Sequence, residues 1–233
     1  RDLNQLEKEG VVRRVYGGAV LVGSNRDVPL LMREGEALEA KQKILFRLGT
    51  QAFVNADFAQ ARQYFDRSLE VGAYDAETRA NACYWRGEAH YRQANYQAAA
   101  RDFRMYLELT KNKQSQEYGL ALYGLGYAGF QQKNYSQALG WFNRYVSEAA
   151  GGNRQVLADA YNRIGDCYFY VRNFDAARQN YDKAGQVDAS LGDYSLYQEG
   201  FVKGLQRDYM GKIQSLNRLI TDYPRSSYID DAL

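Results

Sequence analysis

The sequence predicts an all-α protein made of stacked helix pairs, preceded by a short helix and a β-hairpin. Three observations lead to this fold class. A set of small, aromatic and polar residues recurs five times at a nearly constant interval. Within each of these units, apolar residues return every three or four positions, which is the period of a helix. The 233 residues contain only 2 Pro, a composition that favours long uninterrupted helices.

The first predicted elements are a helix end and a hairpin. Residues 1–10 are predicted to close a helix, with Gly10 as its C-terminal stop. Residues 11–16 and 17–22 are predicted to form two strands that turn at Gly17-Gly18. The string RDLNQLEKEGVVRRVYGGAVLVG resembles the second half of the winged-helix DNA-binding domain of DeoR-family bacterial repressors. That resemblance implies that Arg13 and Arg14 lie on the wing, where they contact DNA phosphates in an intact domain.

Residues 1–44 form the first predicted domain, a truncated winged-helix remnant with a linker. The first two helices of the winged-helix family and the base-reading start of its recognition helix have no counterpart in this sequence. A two-stranded hairpin is marginally stable alone, so we expect these residues to pack poorly or to lean on the repeat that follows. We therefore do not expect this chain to bind DNA. The chain begins at Arg1 and ends within a predicted helix, so we expect it to be a piece of a longer protein.

Residues 45–233 form the second predicted domain, in which one register of residues repeats. A polar residue followed by an aromatic one occurs five times, at Asp57-Phe58, Asn95-Tyr96, Asn134-Tyr135, Asn173-Phe174 and Asp208-Tyr209. Nine residues before each aromatic lies a glycine, at Gly49, Gly87, Gly126, Gly165 and Gly200. An alanine follows three residues after the aromatic in four of the units, and a phenylalanine, tyrosine or leucine follows after seven.

This register has a physical interpretation as a helical hairpin. The Asn or Asp side chain can accept a hydrogen bond from a free backbone N–H at the start of the second helix. The glycine costs the first helix about 1 kcal/mol relative to alanine, so its recurrence indicates a place where two helices approach closely. One hairpin cannot bury its apolar face by itself, whereas stacked hairpins share a continuous core.

The register resembles that of the tetratricopeptide repeat family over residues 43–233, with Tyr223-Pro224 matching the proline that ends a repeat in that family. The resemblance implies a right-handed superhelical solenoid of five helix pairs and the start of a sixth. The first four glycines recur at an interval a few positions longer than the usual family period of about 34 residues, which predicts longer turns between the pairs. The style of the repeats is similar to that of bacterial envelope proteins, which implies a periplasmic or envelope location. A native DeoR-like segment would instead require the cytoplasm.

The resemblance also implies a binding surface, because the first helix of each pair lines the concave face in this family. Projecting that geometry predicts a partner-binding groove that consists of Phe46, Arg47, Tyr84, Glu88, Arg92, Tyr123, Tyr127, Asp159, Arg163, Asp166, Tyr170, Tyr194, Tyr197 and Phe201. Tyr91, Phe130 and Phe169 are expected to lie in the core between helices. Tyrosine and arginine are enriched where proteins meet their partners, since they combine apolar contact area with polar ends.

We therefore predict a non-catalytic scaffold that binds another protein or a peptide segment in this groove. The alternative is a DeoR-like transcription regulator in which the repeats serve as a sensing or oligomerising module. The sequence leaves the partner's identity and the oligomeric state open.

Several other classes of function are disfavoured by composition. The formal net charge of +2 argues against a surface built to hold nucleic acid. One His and two distant Cys, Cys83 and Cys167, leave little basis for a His-based catalytic triad or a zinc site, so we predict no catalytic residue, metal or cofactor. The string GLGYAG at residues 124–129 matches a dinucleotide fingerprint, but it falls inside a predicted helix and is interpreted as helix packing. No apolar stretch is long enough to span a bilayer.

Overall fold

A computed structural model of the chain describes residues 12–15, 18–21, 28–149 and 151–232. The predicted helix over residues 1–10 lies outside the described residues. The predicted hairpin is present as β1 (Val12–Val15) and β2 (Gly18–Leu21), which pair antiparallel. Gly18 pairs with Val15, so it belongs to β2 rather than to the predicted Gly17-Gly18 turn. The side chains of Arg13 and Arg14 lie outside the described part of the chain.

The described residues from 28 onward are mostly helical, and their helices follow one another as antiparallel pairs of the predicted kind. In chain order the helices are α1 (Val28–Val54), α2 (Phe58–Val71), α3 (Ala76–Arg92), α4 (Tyr96–Leu109), α5 (Gln116–Gln131), α6 (Tyr135–Glu148), α7 (Arg154–Tyr170), α8 (Phe174–Val187), α9 (Gly192–Leu205), α10 (Tyr209–Asp222) and α11 (Ile229–Ala232). A 3₁₀ turn at Ala189–Leu191 precedes α9. Because α1 is continuous from residue 28 to residue 54, the predicted domain boundary at residues 44–45 falls within a helix.

The connections account for the glycine spacing. The two helices of each pair are joined by three residues, whereas four to six residues connect one pair to the next, as the long period predicts. The first helices α3, α5 and α7 have 17, 16 and 17 residues, against 14 for α9. The shorter α9, together with a shorter connection before it, makes the final interval, from Gly165 to Gly200, the shortest of the series.

The short turns within the pairs combine two helix caps. The predicted N-cap side chains of Asp57, Asn134, Asn173 and Asp208 each accept a backbone N–H bond, whereas Asn95 makes no such side-chain bond. The residue before each of these caps adopts a left-handed conformation at Ala56, Ala94, Lys133, Arg172 and Arg207, with φ between 58° and 64°. The same turn is therefore built five times with a side chain at a position that usually favours glycine.

The repeated glycines pack where the register predicts a close approach. A Cβ atom added to Gly126 would lie 2.6 Å from the ring of Phe142, and one added to Gly165 would lie 2.6 Å from the ring of Tyr181. Both rings are fully buried, and each lies on the second helix of the pair to which its glycine belongs. Each glycine therefore forms the recess into which the large side chain of its own pair inserts.

The dinucleotide-like string GLGYAG is confirmed as a packing element. Gly124, Gly126 and Gly129 all lie within α5. A Cβ on Gly124 would lie 2.8 Å from the ring of Phe103, and one on Gly129 would lie 3.2 Å from the backbone nitrogen of Ala138. The three glycines thus face α4 and α6, and no strand precedes them within the described residues of this pair.

The chain divides into two compact units, Arg1–Ala82 and Cys83–Leu233, and the division falls within α3. In the first unit, α1 packs against α2, and the buried side chain of Gln42 holds the connection that follows α2. Its amide nitrogen donates to the carbonyl oxygen of Gly72 at 2.9 Å, and its amide oxygen accepts from the backbone N–H of Asp75 at 2.9 Å. The hydroxyl of Ser68 donates to the backbone carbonyl of Gln42 at 2.9 Å.

In the second unit, each of α5 to α10 packs against the helix before it and the helix after it. Cys83 and Cys167 are both buried, and burial raises the pKa of Cys167 to about 12, so its thiol is protonated at neutral pH. Among the described residues, none of the helices is both long enough and apolar enough to cross a bilayer. The described residues likewise contain no group of three His, Cys, Asp or Glu placed to hold a metal ion.

Candidate protein-interaction site

The first helices of the second unit form a continuous row through side-chain contacts. Tyr91 on α3 contacts Tyr127 on α5, with ring centroids 6.5 Å apart. Phe130 on α5 contacts Tyr170 on α7 at 6.0 Å. Phe169, also on α7, then contacts Phe201 on α9 at 5.9 Å. In these three contacts, Tyr91, Phe130 and Phe169 each lie four residues after the recurring glycine, so one register position connects each first helix to the next.

A network of tyrosines, carboxylates and one arginine lies along this row. The hydroxyl of Tyr123 donates to Asp159 Oδ2 at 2.6 Å, and the hydroxyl of Tyr127 donates to the same oxygen. Arg163 lies 3.6 Å from Asp159 through Nε and 2.5 Å from Asp166 through Nη1. The two tyrosine hydrogen bonds join α5 to α7.

The second carboxylate extends the network to the next two helices. Asp166 Oδ1 accepts hydrogen bonds from the hydroxyls of Tyr181 and Tyr194, each at 2.8 Å. The guanidinium of Arg163 also lies over the ring of Tyr194, 4.9 Å from its centroid. We call the seven residues Tyr123, Tyr127, Asp159, Arg163, Asp166, Tyr181 and Tyr194 the carboxylate network.

The protonation states of this network follow from burial and from its charges. Burial raises the pKa of Asp166, while the neighbouring guanidinium opposes that rise. Burial lowers the pKa of Arg163, but the carboxylates of Asp166 and Asp159 contribute to a net rise above the ordinary arginine value. Burial, reinforced by the adjacent carboxylates, raises the pKa of Tyr123 and Tyr194, so both hydroxyls are protonated hydrogen-bond donors at neutral pH.

A cleft of about 300 Å³ opens beside the network. We call it the aromatic cleft, and its lining consists of Phe130, Arg163, Asp166, Phe169, Tyr170, Tyr194, Tyr197, Gln198 and Phe201. Its most exposed rings are those of Tyr170 and Phe201, at 54% and 46% of their full accessible surface. Tyr170 is held by a parallel stack on Tyr135, with centroids 4.2 Å apart and planes 5° apart. Large aromatic surfaces held open in fixed orientations are suited to contact with a partner.

A second and larger cleft, of about 490 Å³, lies at the connections that precede α5 and α7. Its lining includes Lys113, Tyr145 and Glu148 and contains none of the residues of the predicted groove. Only one aromatic ring among the described residues contributes to it, so it offers fewer of the aromatic side chains that are enriched where proteins meet their partners.

The predicted groove residues do not all lie on open surface. Tyr84 is only 4% exposed and packs against the rings of Phe103 and Tyr106, and Asp166 is only 5% exposed. The half-buried members in the second unit are Glu88, Tyr123, Tyr127, Asp159, Arg163, Tyr194 and Tyr197, and the exposed ones are Arg92, Tyr170 and Phe201. In the first unit, Phe46 is half-buried, with its ring 5.9 Å from that of Phe65, and Arg47 is exposed.

The three aromatic residues predicted to lie in the core are each only half-buried. Phe130 and Phe169 line the aromatic cleft, and Tyr91 contacts the ring of Tyr127 on the next first helix. Their rings pack edge-on or tilted against the neighbouring aromatics. The three rings thus pack between helices, as expected, and Phe169 packs against a buried cluster around Tyr181, but none of the three is fully buried.

Two contributors to the site lie outside the predicted groove. Gln198 lies two residues before Gly200, as Arg163 lies two residues before Gly165, so the register contains a signal for it. Tyr228 stacks on Tyr197 with centroids 5.0 Å apart. It follows the last complete pair, and no equivalent position in the register points to it.

Comparison with known families and structures agrees with this architecture. Two models described as tetratricopeptide repeat match the chain, one at residues 46–117 and 104–153 and the other at residues 158–191. A model of the DeoR-like helix-turn-helix domain matches residues 1–25. No curated protein matches the chain.

Several solved structures share the fold. YrrB, described as a TPR protein with an unusual peptide-binding site, is 17% identical with a TM-score of 0.66, over 81% of this chain and 89% of its own. MamA from Desulfovibrio magneticus RS-1 is 20% identical with a TM-score of 0.66, over 80% of this chain and 98% of its own. The apo form of RapI is 14% identical with a TM-score of 0.68, over 82% of this chain and 72% of its own. At these identities the likeness concerns the fold alone.

Proposed function

The chain belongs to the tetratricopeptide repeat family, and on that premise we propose that it is a non-catalytic scaffold that binds a segment of another protein along the first helices of its second unit. Repeat proteins of this kind bind their partners through extended surfaces built from equivalent positions of successive repeats. The observation that carries the proposal is the aromatic cleft, in which Tyr170 and Phe201 expose about half of their surface on a row of contacting helices.

The carboxylate network supports the proposal because it fixes the surface before a partner arrives. Asp159 and Asp166 receive hydrogen bonds from rings on α5, α8 and α9, so the orientation of these helices relative to α7 is specified by side chains. A rigid surface loses less conformational entropy on binding than a mobile one, which raises affinity for a given contact area.

The test is selection of peptides followed by mutation of the cleft. A phage-displayed library of random peptides is panned on the protein, and the affinities of enriched peptides are measured by fluorescence anisotropy. The variants Tyr170→Ser and Phe201→Ser should each weaken binding by about tenfold, the loss associated with about 1.4 kcal/mol of aromatic contact. Tyr74→Ser removes a ring that is 48% exposed in the first unit, and it should leave affinity unchanged. Equal affinities for all three variants would overturn the assignment of the surface.

A second candidate function depends on residues 1–25 alone. These residues match a DeoR-like helix-turn-helix domain, and Arg13 and Arg14 lie in β1. The match favours a transcription regulator in which the repeats serve as a sensing or oligomerising module. DNA binding through such arginines must weaken steeply with salt, because phosphate contacts release counterions. This candidate is excluded if the protein shows no affinity for duplex DNA at low salt, or if Arg13→Ala leaves that affinity unchanged.

A further inference from the structure

The charged groups of the aromatic cleft are already paired within the protein. Among the described residues that line the cleft, Arg163 carries the only formal positive charge, and its Nη1 lies 2.5 Å from Asp166 Oδ2. The other oxygen of Asp166 accepts two tyrosine hydroxyls. Asp159 lies 3.6 Å from Nε of the same arginine. Arg163 Nε and Asp166 Oδ2 make no hydrogen bond to the described residues, but each of the two groups already faces an opposite charge. Breaking this pair to accept a charged ligand would leave a buried charge uncompensated.

The remaining lining is aromatic, with one neutral polar side chain. The rings of Phe130, Phe169, Tyr197 and Phe201 provide apolar faces and edges. Gln198, half-buried on α9, carries both a hydrogen-bond donor and an acceptor on its amide. A peptide backbone carries N–H donors and C=O acceptors, so the Gln198 amide can accept a hydrogen bond from one and donate to the other in an extended segment.

The size of the cleft sets the scale of the ligand. Pockets that hold a whole drug-sized ligand have volumes of about 300–1,000 Å³. A cleft of about 300 Å³ lies at the bottom of that range and is suited to a single large side chain. A charged side chain placed here would meet one guanidinium and two carboxylates. The carboxylates repel an anion, and a cation would have to give up its hydration to face carboxylates that Arg163 already neutralises in part. Both costs are larger in a partly desolvated cleft than at an open surface.

We propose that the aromatic cleft takes one large neutral side chain of the partner, aromatic or branched aliphatic, and that the Gln198 amide hydrogen-bonds to the backbone beside it. This inference rests on the proposed function, because it names the class of residue that the partner segment carries at this point. It also adds Gln198 as a residue that selects for a peptide over an isolated ring.

The experiment uses small probes, so that it does not depend on knowing the partner. The N-acetyl, N′-methylamide derivatives of phenylalanine, leucine, lysine and aspartate are titrated into the 15N-labelled protein, with p-cresol as a ring that has no peptide group. The phenylalanine and leucine derivatives should shift the amide resonances around Gln198 and Phe201 in a saturable manner. The lysine and aspartate derivatives should bind at least tenfold more weakly.

Three variants separate the parts of the inference. Phe201→Ser should weaken the phenylalanine derivative about tenfold. Leu205→Ser removes a similarly exposed side chain one turn later on α9, outside the cleft lining, and should have no effect. Gln198→Ala should weaken the phenylalanine derivative but not p-cresol, because only the former offers a peptide group.

The outcomes distinguish this inference from the function on which it rests. Binding of the lysine derivative as tightly as the phenylalanine derivative, or saturable binding of none of the probes, overturns the neutral-anchor inference. If selected peptides nevertheless lose affinity in Tyr170→Ser, the proposed function stands without it. An equal effect of Gln198→Ala on p-cresol and on the phenylalanine derivative overturns the role of Gln198 alone.

Discussion

Replacing Gly126 with alanine tests the packing that holds each helix pair together. The added Cβ would lie 2.6 Å from both Cδ1 and Cε1 of Phe142, which is about 1 Å inside the separation of carbon atoms in favourable contact. Phe142 is fully buried, and its ring touches those of Tyr123 and Tyr127 at centroid distances of 5.9 and 5.4 Å. The ring therefore cannot move away without disturbing its neighbours, and α5 must shift relative to α6.

Two opposing contributions determine the expected magnitude. Overpacking a well-packed core costs about 1–3 kcal/mol, and the rigid ring indicates the upper part of that range. Alanine in place of a helical glycine returns about 1 kcal/mol. Gly126→Ala should thus lower the free energy of unfolding by about 2 kcal/mol. Gly140→Ala is the matched control, because Gly140 lies in α6 with nothing within 4 Å of the added Cβ. That substitution should stabilise the protein by about 0.5–1 kcal/mol.

The assay is urea denaturation followed by circular dichroism at 222 nm, with comparison of m-values to verify that the same surface unfolds in each variant. The double variant Gly126→Ala, Phe142→Leu should lose less stability than the sum of the two single variants, because a flexible leucine can make room for the methyl group. If Gly126→Ala is as stable as Gly140→Ala, the recurring glycine does not mark a close approach, and the explanation of the repeat register fails.

Three further predictions concern other features of the fold. Gln42→Leu should destabilise the first unit by about 1–3 kcal/mol in urea denaturation, because it leaves the partly buried Gly72 carbonyl and Asp75 N–H without their partner; an unchanged midpoint would contradict this. Lys133→Gly should stabilise by about 1 kcal/mol because φ is 58° there, whereas Lys133→Ala should change little; equal stabilities of the two variants would exclude backbone strain. Burial raises the pKa of Glu88, so the folded state loses stability as pH rises from the unfolded-state value near 4.5 through the folded-state pKa. Glu88→Gln should therefore be more stable than the parent at pH 7, and this gain should vanish near pH 3; a gain that grows on acidification would refute the sign.

The sequence alone determined the helix pairs and the contact between the two helices of each pair. Each recurring glycine and the large side chain that it receives lie in one hairpin, and the Asn or Asp cap is a contact within one turn. The register predicts such local contacts directly, because both contacting residues lie in the same hairpin. Of the three glycines in GLGYAG, only Gly126 is a register position; Gly129 packs against Ala138 of the same pair, whereas Gly124 packs against Phe103 of the preceding pair.

Only the tertiary structure decided which groove residues are open. Tyr84 and Tyr170 both lie on first helices, yet one is 4% exposed and the other 54%, because the ring of Tyr84 packs against Phe103 and Tyr106 whereas that of Tyr170 stacks on Tyr135. The aromatic cleft itself is shared by α5, α7 and α9. Within it, the Asp166 carboxylate on α7 accepts hydrogen bonds from tyrosine hydroxyls on α8 and α9. Such arrangements are set by the angle at which successive pairs pack, and that angle results from the sum of many side-chain volumes rather than from any short motif.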